Sequence, residues 1–348
     1  MDWNRCSRED ARSWLRLVLV PGLAPSAVLT LLRENGSPAA AAASLSRDPD
    51  PALLAATLRW LEREDHHLVA WGDPRYPPLL LEIANPPPVL YVAGRVERLA
   101  SPAFAIVGSR NATAQGARDA ETFARSLSRA GLAIVSGLAL GIDAAAHRGG
   151  LAEAGSSIAV MGTGPDVYYP AANRELAAAL ARDGCLVSEF PLGTPARPGN
   201  FPRRNRLISG MSKGVLVVEA APASGSLTTA RRALEQDRDV FAIPGSIHSP
   251  LSKGCHWLIK EGAKLVETAD DVLRELGFQP SGEAPRPRLA RSGDAVLDAF
   301  GFDAASLDQI VERTGMDASC VAARISMLEL DGRLVPLAGG RFQRVKPS

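Results

Sequence analysis

Phe104-Ala-Ile-Val-Gly-Ser-Arg110, answered further along by Leu132-Ala-Ile-Val-Ser-Gly-Leu-Ala-Leu-Gly-Ile-Asp143, decides the fold class. Each stretch opens on a short apolar run with no polar alternation and then passes into Gly and Ser. A strand without alternation is buried on both faces, which is the condition of a strand inside a parallel sheet. The pattern returns at Ser157–Met161, Cys185–Val187, Val215–Val218, Val240–Ile243 and Lys264–Val266. Helical segments are expected to begin near Gly116, Asp143, Ala171, Leu227, Ser252 and Ala269. Strands alternating with helices predict an α/β domain with a Rossmann-like, doubly wound parallel sheet.

Working outward, the flanks have a different texture. Residues 1–70 read as a small all-α domain with helices over Arg12–Val20, Pro25–Arg33 and Pro51–Asp65. Within it, Leu19-Val-Pro-Gly-Leu-Ala-Pro looks like a helix-hairpin-helix turn, with Ala24 where that motif's second Gly would offer an amide to phosphate. Asp73-Pro-Arg-Tyr-Pro-Pro and Asn85-Pro-Pro-Pro cannot be helix interior and read as a stiff connector at the start of a core domain, 71–279. Pro280-Ser-Gly-Glu-Ala-Pro-Arg-Pro opens a linker, 280–291. Helices over Asp294–Phe300, Ser306–Thr314 and Ala318–Leu330, with a hairpin at Gly339-Gly340, predict a C-terminal winged helix over 292–348.

A chain of 348 residues exceeds one typical core. Its formal net charge is +1, so affinity for a polyanion must come from a local patch. The cysteines Cys6, Cys185, Cys255 and Cys320 are scattered and form no CxxC pair, so neither a zinc site nor a disulfide framework is indicated. Reduced thiols, no secretory signal and no apolar run of membrane length give the expectation of a cytoplasmic protein with no membrane association.

Ligands of open parallel sheets bind at the carboxyl ends of the strands. There the chain carries Gly108-Ser109-Arg110, Ser136-Gly137, Gly162-Thr163-Gly164 and Ser224-Gly225-Ser226. Small residues let backbone N–H groups approach an anion, and helix N-termini behind them add partial positive charge, so these loops together suggest a phosphate cradle. No GxxxxGK[ST] and no GxGxxG occurs, which disfavours a P-loop NTPase and a dinucleotide site. Between Pro191 and Val218 lie Arg197, Arg203, Arg204, Arg206 and Lys213 with no Asp or Glu, and Phe201 and Asn205 stand among them. Guanidinium forks hold phosphates and an aromatic ring stacks a base, so this stretch reads as a groove for single-stranded nucleic acid; a solvated basic loop is the plainer alternative. Asp143 and His147, four apart on one predicted helix, are expected to be a helix cap and a locally bonded side chain rather than an acid–base pair. Glu189 and Glu219 stand at strand ends, where they would accept from base amino groups or loop amides. No nucleophile–base constellation and no metal cluster is visible, so no catalytic residue, metal or cofactor is assigned. The winged helix's third helix carries Asp317, Arg324, Glu329 and Asp331, a balance that phosphate would repel. His256, Trp257, Ile259 and Leu265 offer more apolar surface than one helix and one edge strand need, which marks a homodimer interface.

Taken together, the motifs resemble the DprA/Smf family. The blocks that carry the resemblance are Val107-Gly-Ser-Arg, Ser136-Gly-Leu-Ala-Leu-Gly-Ile-Asp, Gly162-Thr-Gly-Pro-Asp-Val-Tyr-Tyr-Pro, Ser188-Glu-Phe-Pro, Phe201-Pro-Arg-Arg-Asn-Arg-Leu-Ile-Ser-Gly, Ser224-Gly-Ser-Leu-Thr-Thr-Ala and Phe241-Ala-Ile-Pro-Gly. The resemblance implies a sterile-alpha-motif-like (SAM-like) N-terminal domain, a winged-helix C-terminal domain and a dimer formed through the Rossmann-like domain. It implies a non-catalytic protein that coats single-stranded DNA, shields it and loads the recombinase RecA during natural transformation. Carried over by motif, the DNA pocket is Gly108, Ser109, Arg110, Ser136, Gly137, Phe201, Arg203, Arg204, Asn205 and Arg206. The second reading is an enzyme, since the sheet also resembles that of the lysine-decarboxylase-like nucleoside-monophosphate phosphoribohydrolases. Those carry a PGGxGTxxE block, whereas this chain has Ala223-Ser-Gly-Ser-Leu-Thr-Thr-Ala without the Glu. A third reading, a duplex-binding regulator, rests on the winged helix alone.

Overall fold

The computed structural model describes residues 8–279, 293–301 and 304–345; the linker 280–291 and Cys6 lie outside these. A nine-stranded sheet forms the centre, in the order β1-β2-β6-β5-β4-β3-β7-β8-β9. Its parallel part comprises β3 (Ala103–Val107), β4 (Ala133–Ser136), β5 (Ser157–Val160), β6 (Cys185–Ser188), β7 (Gly214–Val217), β8 (Asp239–Ala242) and β9 (Lys264–Leu265). These fall where the apolar runs predicted them. Alternate side chains serve two cores. Ala105 and Val107 of β3, Val135 of β4 and Val215 and Val217 of β7 join one, while Phe104, Ile106, Ile134 and Leu216 join the other. The first core is closed by α8 (Asn200–Gly210), α9 (Gly225–Glu235) and α10 (Lys253–Lys260). The second is closed by α5 (Ala114–Arg129), α6 (Ile142–Leu151) and α11 (Ala269–Glu275). A buried Phe or Leu contributes roughly 1.5–3 kcal/mol, so the two faces together hold the sheet rigid beneath its loops.

The chain leaves β3 outward through β4, β5 and β6, then crosses to β7 on β3's other side and to the opposite face. Strand order therefore reverses at β3, and a crevice opens at the carboxyl ends there, where open α/β sheets take ligands.

Three local expectations are corrected. The helix expected over Pro51–Asp65 ends at Trp60, and His66–Ala70 forms β1, antiparallel to β2 (Val89–Gly94). The helices α1 (Arg8–Leu19), α2 (Pro25–Asn35), α3 (Pro38–Ala43) and α4 (Pro51–Trp60) bury Trp14, Leu15 and Leu17 against Leu68, Ala70 and Tyr91 of that hairpin, so they pack on the sheet's antiparallel edge. The basic stretch, to which the sequence assigned no helix, contains α8. Its Pro202 sits in the first turn, where an N–H has no intrahelical partner and proline is tolerated.

Beyond the linker, α12 (Ala295–Phe300), α13 (Leu307–Thr314) and α14 (Ala318–Leu330) pack on strands β10 (Ala305–Ser306), β11 (Leu334–Leu337) and β12 (Arg341–Arg344), the sheet order being β10-β12-β11. This is the predicted winged helix. No helix among the described residues is long and apolar enough to cross a membrane.

Candidate nucleic-acid interface

A small, open pocket lies over the carboxyl ends of β3, β4 and β5. Arg110, Gly137, Ala139, Leu140, Tyr169, Pro170, Phe201 and Arg204 line it. Two arginines, two aromatic rings and no acid face the opening, so it is a positive pocket with flat apolar walls.

Phe201 enters from the first turn of α8. A Cβ on Gly162 would stand 2.8 Å from the Phe201 ring, so that glycine makes room for the aromatic rather than for an anion. Tyr169 lies against Phe201 with ring centroids 5.6 Å apart and is 47% exposed. The Arg110 guanidinium also lies 5.6 Å from the Phe201 centroid and is exposed. A guanidinium and two aromatic rings thus stand side by side, the combination that single-strand sites commonly use.

Arg204 forms the floor. It is 4% exposed, and its Nη1 donates to Gly137 O at 2.7 Å and to Val160 O, while Nε donates to Asn205 Oδ1 at 3.2 Å. A Cβ on Gly137 would meet the guanidinium at 2.6 Å. Burial lowers its pKa to about 10, partly opposed by Asp143, so it stays charged at neutral pH.

Beneath the pocket, the loop from Gly137 to Gly141 is tied from below. Asp143 Oδ2 accepts from the Gly137 and Ala139 amides at 3.1 and 3.3 Å. His147 Nε2 accepts from the Leu138 amide at 3.2 Å, and Asn173 Nδ2 donates to the Leu138 and Ala139 carbonyls at 2.9 and 3.1 Å. Asp143 was expected to cap α6; Gly141 holds the N-cap position, and the carboxylate reaches back to the loop instead. Burial raises the Asp143 pKa, with Arg204 opposing.

The glycine-rich loops therefore differ from the expected cradle. The amides of Gly137, Ser109 and Gly164 are bonded within the protein, to Asp143, Glu219 O and Thr194 O. Thr163 Oγ1 donates to Val167 O, and Ser136 Oγ, fully buried, to Ile106 O. A Cβ on Gly108 would collide with Ile142 and the Glu219 carbonyl, so Gly108 serves packing. Ser224 caps α9, accepts from the Ser226 amide and shares a hydrogen bond with the Ser226 hydroxyl; Gly225 O accepts from Asn205. Glu219 accepts from Thr113 N and Oγ1 at the start of α5, one of the two roles expected of it.

The basic stretch is also divided. Arg206 bonds Glu189 and Asn85 O, and Arg203 bonds Glu189 while lying over Phe190 at 5.1 Å. The neutralising acid stands two residues before the stretch read as acid-free. Arg206 thus straps the Pro-rich connector to α8, and Arg203, 53% exposed, keeps one face for solvent. Lys213 is not brought to the pocket: it sits at the amino end of β7, its amide bonded to Ala103 O at the opposite sheet edge. Residues missed by sequence reasoning are Ala139, Leu140, Tyr169 and Pro170. The Tyr168-Tyr169-Pro170 run was in view within a quoted motif, but nothing local says that its ring turns toward Phe201. No cluster of three or more potential metal ligands occurs among the described residues.

His147 makes a prediction. Its burial, helped by Arg204 and Arg148, lowers its pKa from 6.5 to about 3. The unfolded chain therefore takes up this proton first as pH falls. The contribution is complete above about pH 6.5 and is lost progressively toward pH 3, costing on the order of 2 kcal/mol by pH 5. Asp143, raised by burial, acts in the opposite direction as it protonates. We expect Tm to fall from pH 7 to pH 5, and His147→Gln to fall less; equal falls in both proteins would contradict the assignment.

Fold and pocket define a Rossmann-like α/β protein with a positive, aromatic-walled cleft at its strand-order reversal. Residues 67–277 match the family model for DNA recombination-mediator protein A, and residues 279–340 match the DprA winged helix domain. The chain is 43% identical over 298 residues to Protein Smf of Escherichia coli (strain K12), covering 82% of this chain and 80% of that protein. It is 49% identical over 206 residues to the DNA processing protein DprA of Streptococcus pneumoniae (strain ATCC BAA-255 / R6), covering 59% of this chain and 73% of that one. The X-ray structure of S. pneumoniae DprA superposes with a TM-score of 0.66 at 38% identity, over 78% of this chain and 98% of that chain. A Helicobacter pylori DprA structure, described by its single-stranded DNA binding mode, superposes at 0.55 with 29% identity over 58% of this chain and 94% of that one. The chain belongs to the DNA recombination-mediator protein A family, the DprA/Smf proteins.

Proposed function

We propose that this protein binds single-stranded DNA, without catalysis, in the pocket between Arg110, Tyr169, Phe201 and Arg204. The observation that carries the reading is the joint presence of two guanidinium groups and two rings in a cavity with no acid on its wall. The Helicobacter pylori relative, a single-stranded-DNA binder by its description, supports the same ligand. From family membership, we further propose that the protein shields the strand and loads RecA in the cytoplasm during natural transformation or recombination. Its addition should shorten the lag of RecA filament formation on oligo-dT; an unchanged lag would remove that part.

The winged helix is assigned no part in reading duplex. Its reading helix has one base, Arg324, which is paired with Asp294 at 2.6 Å. Ser319, Ala323, Ser326, Met327 and Leu330 remain exposed and carry no charge to meet phosphate. Titration with labelled oligo-dT and a matched duplex should show tighter binding to the single strand. Equal or tighter duplex binding would overturn the proposal.

A homodimer through the α10–β9 side is proposed as well. Trp257 and Leu265 are 38% and 52% exposed, with Leu234 and Ile247 exposed too, while Ile259 is half-buried and His256 bonds Gly245 O. Sedimentation at about 10 μM should show a dimer, the range in which a specific interface persists. A monomer alone would count against it.

A further inference from the structure

We infer that His147, which touches no ligand, is the positioning residue of the pocket, because it holds the Gly137–Gly141 loop in the one arrangement that forms the pocket wall. The inference rests on the single-strand reading above and adds what sets its affinity.

Leu138 is the pivot of this loop. Its φ is +59°, a left-handed conformation that a branched residue avoids. Its side chain is 1% exposed and packs with Met161, Ala177 and Leu180. On one side of it Gly137 O receives Arg204, and on the other Ala139 and Leu140 line the cavity. Whatever fixes Leu138 therefore fixes the floor and the rim together.

Its amide is fixed by the His147 ring, in a defined tautomer. Ser157 Oγ donates to Ile134 O at 2.7 Å, so it accepts from His147 Nδ1 at 2.8 Å. Nδ1 then carries the proton, and Nε2 presents a lone pair to Leu138 N–H. The ring is wholly buried, so in the folded protein the Leu138 amide has the imidazole and not bulk solvent as its partner. An orphaned amide in a strained backbone drives the loop toward other conformations, and affinity falls by the fraction of time spent in them. Asp143 and Asn173 hold the neighbouring groups, but neither bonds the Leu138 amide.

The charged groups that act on the ring are Arg204 and Arg148, and Asp143 bonds the same loop; the variants that test the inference leave all three residues unsubstituted. In His147→Gln the amide oxygen reaches the place of Nε2 and keeps the acceptor for Leu138. In His147→Asn the amide nitrogen reaches the place of Nδ1 and keeps only the Ser157 bond. His147→Phe keeps neither. Full-length proteins are titrated with labelled oligo-dT well below each Tm, and amide hydrogen exchange is followed over residues 137–141. We expect affinity about tenfold weaker for Phe and Asn and within about threefold of wild type for Gln, with unchanged salt slopes. We also expect faster exchange confined to the loop in Phe and Asn. Wild-type affinity and slow loop exchange in folded His147→Phe overturn the inference. A Gln variant as weak as Phe, at equal Tm, does so too. If the wild-type chain does not bind oligo-dT, the single-strand reading fails, and loop exchange still decides whether His147 holds the loop.

Discussion

Arg204→Ala lowers the stability of the core by roughly 3–5 kcal/mol, the cost of removing one member of a buried charged network. Three losses coincide at this site. The Gly137 and Val160 carbonyls lose their shared donor. Asp143, buried at 7% exposure, loses the nearby positive charge. The space that Gly137 leaves for the guanidinium becomes a void lined by polar groups. For a domain of this size, Tm should drop by about 10 °C, measured by thermal unfolding at neutral pH. A change under about 2 °C would show that the guanidinium is a dispensable surface group. A fall in DNA affinity in this variant would therefore report the fold as much as a phosphate contact.

Arg204 also marks the limit of what the sequence made legible. The parallel strands were readable because a strand buried on both faces must be apolar at every position, and Phe104–Val107 and Val215–Val218 are. The strand His66–Ala70 was not readable, since its two histidines and short length carry no pattern, and only pairing with Val89–Gly94 makes it a strand. The helix Asn200–Gly210 was hidden by the prolines around it, which locally signal a loop.

At the pocket, residue types were legible and their partners were not. The basic run was visible, but Glu189 reaches Arg203 and Arg206 only through the placement of β6 beside α8. Gly137 and Gly162 were expected to admit phosphate, whereas they admit Arg204 and the Phe201 ring. A glycine at a strand end records close approach without recording what approaches. Lys213, read as part of the groove from its neighbours in sequence, is carried to the other sheet edge by the length of α8.

The proposed function places the single strand against the wall formed by Arg110 and Phe201. Arg110 is exposed, and Phe201 is half-buried on the pocket wall beside Tyr169 and Arg110 and belongs to none of the hydrophobic core clusters, so both can be replaced without opening the core. The most direct measurement is oligo-dT affinity across a salt series for wild type, Arg110→Ala, Phe201→Ala and the double variant. Phe201→Ala should lose roughly 1–3 kcal/mol, the worth of one base–aromatic stack, with an unchanged salt slope. Arg110→Ala should flatten the slope by about 0.7, the value for one phosphate of a single strand. The double variant should bind at least about a hundredfold more weakly than wild type. Wild-type affinity and slope in the folded double variant would place the DNA elsewhere on the molecule and contradict the account.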